Sequence, residues 1–204
     1  MLNGIGLACE RGGRQLFNNL SFSIQPGEVL HLTGENGAGK TTLLRILCGL
    51  TLPSEGNIEW QDQDTNACRE DFHSNLLYLG HTPGLHGDLT PTENLQQLCG
   101  LSQQTDETAI TNALQKVGLA NRCDVPAKYL SQGQKKRVSL ARLLLSPANI
   151  WLLDEPFSAL DVSAITWLNN HILQHCQHGG MVILTTHQTL SIEEQIIMTL
   201  EIGL

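Results

Sequence analysis

A chain of 204 residues can build one domain with a substantial core and is too short for two. Hydrophobic content of 41% and charged content of 16% are those of an ordinary globular protein, which argues against a disordered one. A net charge of −8 without any long basic run excludes nucleic acid as a partner and excludes simple adsorption onto anionic lipid.

The first residues, Met1-Leu2-Asn3-Gly4, carry no charged stretch followed by an apolar one, and no run approaches the roughly 18 apolar residues that span a bilayer. A cytosolic chain is expected, one that meets a membrane only through another protein. The 6 cysteines, at 9, 48, 68, 99, 123 and 176, include no C-x-x-C pair and read as small buried hydrophobes rather than a zinc or redox site.

In chain order, strands are expected at Gly4–Cys9, Leu20–Ile24 and Val29–Thr33. The third leads into Gly34-Glu35-Asn36-Gly37-Ala38-Gly39-Lys40-Thr41-Thr42, which contains the phosphate-binding pattern G-x-x-x-x-G-K-[ST]. An apolar-periodic segment, Leu43–Leu50, follows it. Strand, glycine-rich turn and helix in that order let successive N–H groups curl around phosphate oxygens at a helix N-terminus. Lys40 is expected to reach the β- and γ-phosphates of ATP, and the Thr41 hydroxyl to bind Mg²⁺.

Strands are next expected at Asn57–Trp60 and Leu76–Leu79. A helix follows from Thr90-Pro91-Thr92-Glu93, where a capping threonine, an early proline and a glutamate at the third position coincide, to about Cys99. Further helices are expected over Asp106–Val117 and from Ser131 to about Leu145. Residues 83–142 therefore read as a helical subdomain inserted in an α/β core. The apolar runs 150–153 and 182–185 read as strands buried on both faces of a parallel sheet, and a last strand is expected at Ile196–Leu200. The first of these runs ends in Asp154-Glu155-Pro156. One carboxylate there suits Mg²⁺ and the other can orient and deprotonate an attacking water.

Leu130-Ser131-Gln132-Gly133-Gln134 resembles the L-S-G-G-Q signature of ABC ATPases, with Gln132 in place of the first glycine. Ser131 and Gln134 also have capping-box form, opening a helix whose free N–H groups can grip a γ-phosphate. The resemblance implies two cassettes packed head to tail, with Ser131, Gln132, Gly133 and Gln134 of one covering the ATP of the other. It implies that Ser158 and Asp161 belong to the loop that crosses this dimer interface. His187, after Thr185-Thr186, resembles the switch histidine that touches the γ-phosphate. Arg11 occupies the place of an adenine-stacking ring, with Arg14 as a nearby alternative. His81, or Thr82 one residue on, falls where the family carries a glutamine that contacts Mg²⁺. Neither side chain reproduces a glutamine's paired donor and acceptor.

The fold so implied is α/β over residues 1–204. It joins a RecA-like P-loop NTPase core, the helical insertion and an N-terminal antiparallel β subdomain in one cassette. Within the superfamily the chain is similar to ATP-binding subunits of the cytochrome c maturation system, often labelled haem exporters. Cys9-Glu10-Arg11 with Arg14 and Leu16-Phe17, Gly80-His81 with Pro83-Gly84, Leu89-Thr90 with Glu93-Asn94-Leu95, Asp154-Glu155-Pro156-Phe157 and Thr185-Thr186-His187-Gln188 carry that similarity together. It implies integral membrane permease subunits as partners and a peripheral place on the cytoplasmic face of a bacterial inner membrane. His171, His175 and His178, with Cys176 among them, stand at helical spacing. Amid Asn169, Asn170, Gln174 and Gln177 they read as a solvated helix face rather than a haem or metal stripe.

Overall fold

The computed structural model describes residues 1–100 and 106–203; residues 101–105, inside the expected helical segment, lie outside the described ones. Two sheets organise the chain. The first has strand order β2-β1-β4-β5 and is antiparallel, from β1 (Leu2–Arg11), β2 (Arg14–Ile24), β4 (Glu55–Trp60) and β5 (Gln63–Asp64). Gly12 and Gly13, at φ +59° and +74°, join β1 to β2 as a two-residue hairpin, a turn that needs positive φ at both positions. Pairing extends β1 and β2 well beyond the apolar runs that mark them in the sequence. The added positions of β2, such as Arg14, Gln15, Asn18 and Asn19, are exposed, so no hydrophobic signal announces them. The hairpin carries Arg11 to its tip.

The second sheet is parallel, with order β6-β7-β8-β3-β9, from β3 (Val29–Thr33), β6 (Leu76–Leu79), β7 (Ile150–Asp154), β8 (Met181–Thr185) and β9 (Ile197–Glu201). Every residue of β7 and β8 is buried, as their unbroken apolar runs require. Alternate side chains serve opposite layers. Ile150, Leu152, Met181 and Ile183 face a core shared with α1 (Lys40–Leu47) and the antiparallel sheet. Trp151, Leu153, Val182 and Leu184 face α5 (Gln132–Leu145) and α6 (Val162–Gln177). Each such aliphatic burial contributes about 1.5–3 kcal/mol.

A third cluster joins α3 (Pro91–Gly100), α4 (Glu107–Lys116) and α5 through Leu95, Ile110, Leu114 and Val138. The capping arrangement at Thr90 forms as its sequence suggests: Glu93 Oε2 accepts from the Thr90 N–H at 2.8 Å, and Thr90 Oγ1 accepts from the Glu93 N–H at 3.2 Å. The short α2 (Arg69–Ser74) and β5 have no counterpart among the expected elements. Of the cysteines, Cys9, Cys48, Cys99 and Cys176 are buried and Cys68 and Cys123 half-buried.

Of the histidine stripe, His178 at the C-cap of α6 is exposed as expected, but His171 and His175 are not solvated. His175 stacks on Trp151 with centroids 3.6 Å apart and planes 8° from parallel, and His171 lies 5.2 Å from Trp167 and 5.5 Å from Trp151. His175 Nε2 donates to Asn149 O at 3.2 Å. The tryptophan from β7, remote in sequence, turns a polar-looking stretch into half of an aromatic stack. Burial pushes the His175 imidazole down to about 4, partly opposed by that hydrogen bond.

The unfolded chain, with an imidazole near pKa 6.5, therefore takes up this proton first. Stability is unaffected above that pH and falls as pH drops from about 6.5 toward 4. Wild type should lose more of its urea midpoint than His175→Phe between about pH 7 and 5; parallel curves would remove this role of the burial.

Candidate active site

Adjacent placement of β7, β8 and β3 brings three strand carboxyl ends side by side, the edge where open α/β sheets bind ligands. Gly34 leaves β3 at φ +131°, and a Cβ there would lie 2.2 Å from the carbonyl oxygen of Ile202. That backbone approach excludes any side chain. The loop ends at Gly39, the N-cap of α1, which has no side-chain cap and no acid in its first turn. The first N–H groups of α1 thus keep their donor capacity and partial positive charge for an anion. Lys40 Nζ donates to Gly34 O at 2.7 Å and to Glu35 O at 2.9 Å, folded back over the loop.

Asp154, 2% exposed, accepts from Thr41 Oγ1 at 2.9 Å and from Thr185 Oγ1 at 2.8 Å. Thr185 Oγ1 in turn accepts from the Glu155 N–H at 2.9 Å. One hydrogen-bonded chain therefore runs from the phosphate-binding loop through the first acid to the backbone of the second. Glu155 adopts φ +46°, and its Oε1 lies 3.5 Å from His187 Nε2. Ser158 Oγ donates to Glu155 O at 2.9 Å. Thr185 is a junction that the sequence shows only as the last residue of a strand. Its partners lie 30 and 31 residues away, with no local pattern to signal them.

These groups surround an open cleft of about 590 Å³. It is lined by Asn36, Gly37, Gly39, Lys40, Thr41 and Thr42 from the loop, and by Arg11, His81, Asp154, Glu155, Ser158, Thr185 and His187 around it. Of the alternatives the sequence left open, Arg11 lines this cleft and Arg14 a neighbouring groove with Gly34, Glu35 and Ala38. Likewise His81 lines it and Thr82 does not. Leu16, to which the sequence assigns no place in the site, also contributes a wall.

Ser131, Gln132, Gly133 and Gln134 do not line the cleft. Ser131 and Gln132 are exposed, and Ser131 forms a capping box: its Oγ accepts from the Gln134 N–H at 3.2 Å, and Gln134 Oε1 accepts from the Ser131 N–H at 2.9 Å. Asp161 also stands apart, capping α6 through the Ala164 N–H at 2.9 Å and pairing with Arg137 at 2.6 Å.

Residues 17–158 match the protein family described as ABC transporter. The chain belongs to that family, and it is an ABC-type ATPase. A protein of Aromatoleum aromaticum named cytochrome c biogenesis ATP-binding export protein CcmA is 50% identical over 190 residues, covering 92% of this chain and 89% of that protein. The protein of the same name in Dechloromonas aromatica is 47% identical over the full length of both chains, 204 residues. Among solved structures, an ABC transporter ATP-binding protein of Pyrococcus furiosus superposes with a TM-score of 0.83 at 24% identity, covering 98% of this chain and 96% of its own. An ATP-binding cassette solved as a dimer in a post-hydrolysis state with ADP and phosphate gives 0.80 at 22% identity, covering 99% and 96%. Both show the ABC ATPase fold. No helix among the described residues is long and apolar enough to cross a membrane.

Proposed function

We propose that this chain hydrolyses ATP in the cleft between Lys40 and Glu155 and uses the cycle to drive a membrane complex of cytochrome c maturation. The observation that carries the hydrolytic part is the chain Thr41–Asp154–Thr185–Glu155, which sets the second acid relative to the loop that grips phosphate. Gly34, Glu35, Asn36, Gly37, Ala38, Gly39, Lys40, Thr41 and Thr42 bind the triphosphate through backbone N–H groups and the Lys40 ammonium. Arg11 stacks its guanidinium plane on the base.

Thr41 Oγ1 and Asp154 Oδ2 are hard oxygen donors already within hydrogen-bonding distance of each other. Such a pair fits Mg²⁺, which favours one or two carboxylate or hydroxyl ligands together with substrate phosphates. When bound, the ion would supply charge neutralisation on the phosphate oxygens. His81 is the weaker addition to that set. Glu155 takes the proton of the attacking water, and His187 contacts the γ-phosphate from the end of β8.

Two copies pack head to tail, so that Ser131, Gln132, Gly133 and Gln134 of one close over the nucleotide of the other. Ser158 and Asp161 lie at the crossing. What supports this is the exposure of Ser131 and its position outside its own chain's cleft, with the dimer seen for a related cassette. The whole chain acts as a single cassette whose helical subdomain, about 83–142, carries the signature helix; the separate hydrophobic cluster of α3, α4 and α5 favours this division. The γ-phosphate biases closure, and its loss splits the pair.

The names of the similar proteins favour the cytochrome c maturation role. In this scheme the chain sits at the cytoplasmic face of a bacterial inner membrane and touches it only through permease subunits. The test is to tag the chain in its native host, extract membranes in mild detergent and identify what co-purifies, recording haem absorbance of the same fraction. Multispanning proteins of cytochrome c maturation together with haem are the expected result. A permease of another class would keep the ATPase and overturn the haem role.

A further inference from the structure

The scheme above gives no role to Lys136. This lysine lies in the second turn of α5 and is only 4% exposed, and its Nζ donates to the backbone carbonyl of Asp154 at 3.4 Å. A buried ammonium is costly unless it is paired. Desolvation pushes its pKa down, and the nearby carboxylates of Asp154 and Glu155 oppose that, favouring the charged form.

The carbonyl of Asp154 and the N–H of Glu155 are the two polar ends of one planar peptide unit. Lys136 holds one end, and Thr185 Oγ1 holds the other at 2.9 Å. Directly after this plane the chain enters φ +46° at Glu155. A non-glycine residue stays in that left-handed region only where its surroundings enforce it. With the carbonyl end released, the plane is held only through the Thr185 hydroxyl, and any tilt of it carries the Glu155 side chain along.

We propose that Lys136 is a positioning residue for hydrolysis, clamping the Asp154–Glu155 peptide so that the Glu155 carboxylate faces the cleft. This rests on Glu155 being the group that activates water. The clamp belongs to a larger fastening. One turn earlier on α5, a Cβ at Gly133 would lie 2.6 Å from Ala159 O, so the helix sits directly on the loop after Glu155. One residue later, Arg137 holds Asp161 at 2.6 Å. The first two turns of α5 thus hold the segment from Asp154 to Asp161 through two side chains, Lys136 and Arg137, with a close backbone contact at Gly133 between them.

The test compares Lys136→Met, Lys136→Gln and Lys136→Arg in the full chain, with kcat and KM for ATP measured and folding checked by thermal unfolding. Lys136→Met is expected to lower kcat by about 10-fold or more, since a misplacement of about 1 Å can cost about 10²-fold, with KM unchanged within about twofold. Lys136→Arg restores most of the rate, and Lys136→Gln, a shorter neutral donor, falls between. In a Glu155→Gln background, Lys136→Met adds no further loss to the residual single-turnover rate, because the group it positions is already gone.

A wild-type kcat in Lys136→Met, an equal loss in the Glu155→Gln background, or a parallel rise in KM overturns the clamp. If Lys136→Met does not fold, the Gln and Arg variants decide, and equal rates in those two overturn it. Glu155→Gln alone turning over at the wild-type rate would instead remove the assignment of Glu155 itself.

Discussion

Glu155→Gln should still bind ATP while its turnover falls by about 10²–10⁴-fold, the usual contribution of a positioned proton acceptor. The substitution keeps the side-chain length and leaves the backbone N–H on Thr185, so the loop geometry has no reason to change. In the proposed role it removes the basic oxygen that would face the attacking water, and it takes the negative charge out of the 3.5 Å contact with His187, whose side chain is 64% exposed. An exposed contact of that kind contributes little to stability. The lost turnover therefore reports on chemistry, and the ATP-bound state accumulates. On gel filtration with saturating ATP the variant should run as a dimer. Turnover within about tenfold of wild type would remove Glu155 from the role of base. A monomer under those conditions would count against the head-to-tail pairing.

Lys40→Ala should weaken ATP affinity by about 10- to 100-fold, corresponding to the roughly 1.5–3 kcal/mol of a hydrogen bond to a charged group. The ammonium also ties the loop to itself through Gly34 O and Glu35 O. Part of the loss can therefore arise from a looser loop. Titration with a fluorescent ATP analogue measures the affinity, and a thermal melt without nucleotide isolates the loop contribution. Unchanged affinity would overturn the assignment of residues 34–42 to the triphosphate.

Local patterns were legible in the sequence wherever the physics is local. The glycine spacing of 34–39, the capping boxes at Thr90 and Ser131 and the buried runs of β7 and β8 depend on residues a few positions apart. Both capping boxes and both buried strands form as their residues suggest. Features made by pairing between remote segments were not legible. Thr185 gains its place in the site from Asp154, and Lys136 from a carbonyl 18 residues on. The histidines of α6 looked solvated because Trp151 comes from another element. Glu10–Arg11 of β1 and Arg14–Asn19 of β2 escaped notice because most of those side chains are exposed and hairpin pairing holds them, with Phe17 the buried exception.

The strand that delivers the phosphate-binding loop sits between β8 and β9, its neighbours in the parallel sheet. Contacts from it reach across 155 residues to Thr186 and across 167 to Leu200. Sheets closed by such remote pairings form slowly, because loop-closure entropy is lost before any pairing is gained. At about 5–20 residues per second of synthesis, β3 waits roughly 10–30 s on the ribosome with both hydrogen-bonding edges unpaired. Three of its five residues, Val29, Leu30 and Leu32, are apolar, so the interval is one of aggregation risk. With the nucleotide site proposed at that strand's carboxyl end, ATP binding would become possible only late in the folding of the chain.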